Sequence, residues 1–107
     1  QTVVTIMRDQ KLAENAQARG KQMTDYLRDQ LKDNHDIVEI RNLGLLVGIE
    51  LKHNCTEIVA MALQNRLLIN VTADKVIRLL PPLIINEEQT LELADLLIQT
   101  INQFSNR

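Results

Sequence analysis

Few residues in this chain combine a type and a spacing that suit chemistry, and Arg78 leads them. It is the one charge inside the run Val76-Ile77-Arg78-Leu79-Leu80-Pro81-Pro82-Leu83. A desolvated, unpaired guanidinium costs on the order of several kcal/mol, comparable to a small domain's whole stability. Arg78 must therefore reach water or face a carboxylate. On a strand, Val76, Arg78 and Leu80 point one way and Ile77 and Leu79 the other. Two readings stand. Arg78 is an edge arginine paired with a surface carboxylate, or it is a bidentate fork aimed at a ligand carboxylate, a geometry that suits guanidinium.

The remaining candidates carry less. Glu39, Arg41 and Glu50 read as cross-strand charge pairs on a solvated face. His35 and His53 lie in turns flanked by Asn, Asp and Lys, without a second ligand at metal spacing, and read as solvated loop histidines. Cys55 stands at a helix start, where a thiol pKa can fall, but a lone cysteine beside a cap is more often structural. Gly20, Gly44 and Gly48 are too scattered for a loop that cradles phosphate. Nothing here supports self-contained catalysis.

The elements that must position these residues follow from periodicity. Over residues 9 to 33, Leu12, Ala16, Gly20, Met23, Leu27 and Leu31 recur at spacings of three or four, the apolar face of a helix. Glycine on that face costs about 1 kcal/mol against alanine, so another element is expected to approach closely at Gly20. Ile37 to Asn42 and Leu45 to Leu51 read as strands joined by a hairpin at Asn42-Leu43-Gly44. The second sets Leu45, Val47, Ile49 and Leu51 against Leu46, Gly48 and Glu50. Gly48, in mid-strand, marks a bulge or a place where a ligand or another backbone comes close.

Asn54 and Glu57 fit a capping box that opens a helix at 53–54. Its stripe is Ile58, Val59, Ala62 and Leu63, and it ends at Asn65-Arg66. Leu67 to Val71 and Val76 to Leu80 are expected as strands around a turn at 72–75, the second closed by Pro81-Pro82. Asn86 and Gln89 form another box, with Glu87 and Glu88 favoured by the helix dipole. Leu91, Ala94, Leu97, Ile98, Ile101 and Phe104 then share one face, and 105–107 is expected to fray. The order α-β-β-α-β-β-α predicts an α+β two-layer fold: a mostly antiparallel four-stranded sheet with helices on one face. The other sheet face is then wet, or covered by something outside the chain.

A length of 107 residues allows one domain with one core. With net charge −2, one Tyr, one Phe and no Trp, there is neither a basic stripe nor an aromatic platform, and no nucleic-acid partner is expected. No apolar run approaches the roughly 20 residues of a membrane span. A single cysteine suits a reducing cytosol, so a cytoplasmic location is expected. The opening Gln1-Thr2-Val3-Val4-Thr5-Ile6-Met7-Arg8 lacks an initiator Met and reads as the middle of something longer.

Two stretches together resemble one family. Glu39-Ile40-Arg41-Asn42-Leu43-Gly44-Leu45-Leu46-Val47-Gly48-Ile49-Glu50-Leu51 is similar to the E-I-R-G-x-G-L-M-x-G-I-E-L hairpin of the class III aminotransferases. Leu67-Leu68-Ile69-Asn70, followed by Val76 to Ile85, resembles that family's L-L-I-N and V-I-R-L-L-P-P-L-I-I segments, and Glu14-Asn15-Ala16 its E-N-A start. Order and spacing agree over nearly the whole chain. The wording looks most like the acetylornithine branch, with ornithine and 4-aminobutyrate aminotransferases as neighbours. Two departures stand out: Asn42 where the family often has Gly, and Arg66 where Gly usually precedes L-L-I-N. Either Asn65 or Arg66 must then take a left-handed conformation, at roughly 1 kcal/mol.

The resemblance implies the C-terminal small domain of a fold-type I pyridoxal phosphate enzyme, spanning residues 1–107, with 1–8 as remnant of the inter-domain segment. It implies a homodimeric parent that uses pyridoxal phosphate to move an amino group between N-acetylornithine, or a related ω-amino acid, and 2-oxoglutarate in arginine biosynthesis. The Schiff-base lysine would lie in the large domain. Lys11, Lys21, Lys32, Lys52 and Lys75 match no family motif, so the isolated piece is expected to hold no cofactor and to be inactive. Arg78 falls on the arginine that engages a substrate carboxylate or an active-site glutamate. The alternative is a stand-alone module that senses amino-acid carboxylates through Arg78.

Overall fold

The computed structural model describes residues 2–81 and 85–106, with side chains from residue 13 onward. Its elements are α1 (Thr2–Gln30), β1 (Ile37–Leu43), β2 (Leu46–Leu51), α2 (Ile58–Gln64), β3 (Asn70–Thr72), β4 (Val76–Leu79) and α3 (Glu87–Ser105). The four strands form one antiparallel sheet in the order β1-β2-β4-β3. This is the α+β arrangement expected from the pattern. One sheet face carries Ile40, Val47, Ile49, Leu51, Ile77 and Leu79, all buried. Against it pack Met23, Leu27 and Leu31 of α1 and its end, Ile58 and Ala62 of α2, and Ala94, Leu97, Ile101 and Phe104 of α3, in a single core.

The α1 stripe closes tightly on the sheet at Gly20. A Cβ there would overlap the Gly44 carbonyl oxygen and come within 2.8 Å of the Asn42 side-chain amide, which accounts for a glycine inside a helix. Gly44 has φ +58° in the two-residue turn between the paired Leu43 and Leu46. Asn42 does not take a left-handed backbone. Its Nδ2 donates to the Gly44 carbonyl at 3.0 Å, and its Oδ1 accepts from the Thr24 hydroxyl at 3.4 Å. A side chain here does the fastening, so glycine at 42 is unnecessary.

Several boundaries differ from expectation, those of β1, β2 and β4 by a single residue. Helix α1 spans Thr2–Gln30, starting well before residue 9 and ending before residue 33; Leu12's side chain lies outside the described part. Helix α2 begins at Ile58, and Asn54 forms no capping box. Its Oδ1 accepts from the Thr56 backbone and hydroxyl at 3.0 and 2.6 Å, an Asx turn that uses the cap ahead of the helix. Only Ile58 and Ala62 are buried on α2; Val59 and Leu63 are exposed. Residues 67–69 are not strand, and β3 starts at Asn70. Helix α3 continues to Ser105, whose hydroxyl accepts from Asn34, and Leu91 lies off its buried face.

The reason for the late β3 start is the end of α2. Arg66, with φ 62°, takes the left-handed position that was open between it and Asn65. Arg66 N–H bonds to Leu63 O at 3.0 Å and Leu67 N–H to Ala62 O at 2.8 Å. This is a Schellman motif, and buried Leu67 is its apolar clasp on Ala62. Leu67 is thus spent closing the helix, and the chain reaches the sheet only afterwards. The Asn86 box of α3 forms as read: Gln89 N–H to Asn86 Oδ1 at 2.7 Å and Asn86 N–H to Gln89 Oε1 at 3.1 Å.

Candidate functional site

The sheet face away from the helices holds the charges. Strand register places Arg41, Gly48, Arg78 and Asn70 in one row across β1, β2, β4 and β3. The next row is Glu39, Glu50, Val76 and Thr72. With strands about 4.8 Å apart, the Arg41 and Arg78 backbones stand roughly 10 Å apart on either side of Gly48. Gly48 supplies no side chain, and a depression of about 340 Å³ opens over it, lined by Arg41, Asn42, Leu43, Leu46, Gly48, Thr72, Val76 and Arg78.

The two arginines differ in occupation. Arg41 Nη1 lies 2.9 Å from Glu39 Oε2 and 3.7 Å from Glu50 Oε1. Those carboxylates sit directly opposite one another in the register, where like charges repel, and Arg41 is the cation that offsets them. The expected charge pairing of Glu39, Arg41 and Glu50 is therefore present. Arg78 is exposed, and among the described residues no carboxylate pairs with it. Its neighbours Ile77 and Leu79 are buried on the core side, which fixes the direction of its side chain. Chemically, the arrangement offers one uncompensated guanidinium at the rim of an open, partly apolar depression.

The other candidates stay apart from this site. His35 and His53 are exposed, and among the described residues no cluster of His, Cys, Asp and Glu could hold a metal. Cys55 is buried beneath the sheet's other face, and its thiol is pushed up by burial and then by the Asp74 carboxylate, the reverse of activation. Sequence reasoning missed the pairing of Arg41 and Arg78 across Gly48. The mid-strand glycine was the available signal, but the neighbour β4 could not be placed beside β2 without the strand order.

Among the described residues, the depression offers no lysine that could form a Schiff base. Lys21 is tied to Asp25 on the outer side of α1 at 2.8 Å, and Lys32, Lys52 and Lys75 are exposed. No step through pyridoxal phosphate is assigned to these residues.

A small antiparallel sheet layered with three helices, with an arginine projecting from its open face, matches a known domain. The family model for aminotransferase class III covers residues 1–101, and the chain belongs to that family. Within it, the chain is similar to the acetylornithine and ornithine aminotransferases. It is 38% identical over 96 residues to acetylornithine aminotransferase of Methanosarcina acetivorans, covering 90% of this chain and 24% of that one. It is 34% identical to the solved ornithine delta-aminotransferase of Plasmodium falciparum, with a TM-score of 0.86 over 96% of this chain and 27% of that one. Acetylornithine aminotransferase from Elizabethkingia anophelis superposes with a TM-score of 0.81 at 28% identity, over 92% of this chain and 27% of that one. The chain thus spans about a quarter of the length of these relatives. Among the described residues, no helix is long and apolar enough to cross a membrane.

Proposed function

We propose that residues 1–107 are the small domain of a pyridoxal phosphate-dependent aminotransferase that exchanges an amino group between N-acetylornithine, or a related ω-amino acid, and 2-oxoglutarate, a step of arginine biosynthesis. The observation that carries this reading is Arg78, an exposed guanidinium at the rim of the depression with no carboxylate partner among the described residues. Its task is to hold a substrate carboxylate, or an active-site glutamate, by two parallel N–H···O bonds and so fix the direction of the reacting end. The family membership and the similarity to acetylornithine aminotransferases support the substrate class.

In this reading the large domain brings the cofactor and its lysine, residues 1–8 lead in from that domain, and the enzyme is a cytoplasmic homodimer. The large domain also covers apolar surface that this chain leaves bare, including Leu43 at the depression and Leu80 just after β4, which are 81% and 71% exposed. The isolated chain is then inactive and self-associates, which mixing with pyridoxal phosphate and light scattering would check.

The test of the reading is Arg78→Gln in the whole enzyme. A charge-assisted hydrogen bond is worth about 1.5–3 kcal/mol, so KM for 2-oxoglutarate should rise by a factor of about 10 or more. Unchanged KM for both substrates in a folded variant overturns the reading.

A further inference from the structure

We propose that Glu50 is a built-in competitor for Arg78, and that Arg41 is the positioning residue that holds Glu50 away from it. This rests on the reading of Arg78 as a carboxylate fork. Glu50 faces Glu39 across one strand boundary and Val76 across the other. Its diagonal neighbours two residues along are therefore Arg41 on β1 and Arg78 on β4. Diagonal positions lie about 7–8 Å apart, within reach of a long side chain. Gly48 is directly opposite both arginines and puts no side chain between them and Glu50.

The structure shows Glu50 on the Arg41 side, held loosely. The pair is 3.7 Å long and the Glu50 side chain is 38% exposed, whereas Glu39 grips the same guanidinium nitrogen at 2.9 Å. Exposed pairs of this kind contribute at most about a fivefold bias. A small change in the cluster is enough to send the Glu50 carboxylate to the fork, where it occupies the place of a ligand carboxylate. The apparent affinity of the fork then falls in proportion to the fraction of Arg78 left open.

The test is steady-state kinetics on the whole enzyme. Removing Arg41 alone would leave Glu39 and Glu50 opposed and risks misfolding, so the variant is Arg41→Met with Glu39→Gln, which frees Glu50 without that repulsion. KM for 2-oxoglutarate should rise about two- to fivefold with kcat unchanged. Adding Glu50→Gln to the same protein should restore it to near the parent value. A rise that Glu50→Gln does not reverse, or no rise in a folded variant, overturns the proposal. Arg78→Gln is run alongside: if it leaves KM unchanged, the carboxylate-fork reading itself has failed; if it raises KM while the Glu50 rescue is absent, only the competitor is refuted.

Discussion

Gly20 of α1 lies against the Gly44 carbonyl of the β1–β2 turn with no room for a methyl group between them. Backbone oxygen cannot step aside as the end of a flexible side chain can. Gly20→Ala gains about 1 kcal/mol of helix propensity, but the overlap pries α1 from the turn that carries Asn42. A net loss of about 2 kcal/mol is expected in urea unfolding. Gly44→Ala meets no neighbour and suffers only the left-handed φ, so it should cost about 1 kcal/mol. Equal stability of Gly20→Ala and the parent would refute the close-approach account.

Arg66 is the converse case, a bulky residue where glycine would be unstrained. Arg66→Gly keeps both Schellman hydrogen bonds and removes the left-handed penalty. It should stabilise the fold by at most about 0.5 kcal/mol, after the greater freedom of glycine in the unfolded chain is subtracted. A lower melting temperature would show instead that the Arg66 side chain contributes more than its backbone costs.

Tyr26 links α1 to α3 by donating its hydroxyl proton to Asp95 Oδ1 at 2.6 Å. That bond, and then desolvation, raise its pKa above the ordinary tyrosine value of 10.0. A raised value in the folded state means that the bond's contribution is complete below pH 10 and is lost as pH climbs through the folded value. Thermal melts from pH 8 to 11 should fall more steeply for the parent than for Tyr26→Phe. Parallel alkaline limbs would show that the bond is energetically idle.

Arg78→Lys separates charge from geometry. Lysine keeps the cation but replaces a planar fork by a point charge. In the whole enzyme, KM for 2-oxoglutarate should fall between the parent and Arg78→Gln values. A lysine variant equal to the parent would mean that the site needs charge alone.

Much of the fold was legible because each helix and strand announces itself locally. The alternation from Leu45 to Leu51 and the Asn86–Gln89 box are patterns within their own segments, and the glycine on the α1 stripe signalled a close approach without naming Gly44 as its partner. Three features were not legible. Asn54 has the same side chain whether it caps a helix or closes an Asx turn, and the choice went to Thr56. Leu67 and Leu68 read as strand, yet one clasps α2 and the other is 81% exposed. The double diagonal of Glu50 exists only because β4 lies beside β2, and no residue near Glu50 encodes that adjacency.

That strand order has a consequence for how the protein assembles. The β1–β2 and β3–β4 pairs are local hairpins, each closed by a short turn, and the second has left-handed residues at Ala73 and Asp74. The central β2–β4 pairing joins segments separated by all of α2 and β3. Loop closure makes such a contact slow relative to the hairpins. Each hairpin can therefore form while carrying only one of the two arginines. In pulse-labelled refolding, amides bonded between β2 and β4 should become protected after those within the hairpins. The two arginines then come together as a late event, whereas the Glu39–Arg41–Glu50 cluster is complete within the β1–β2 hairpin.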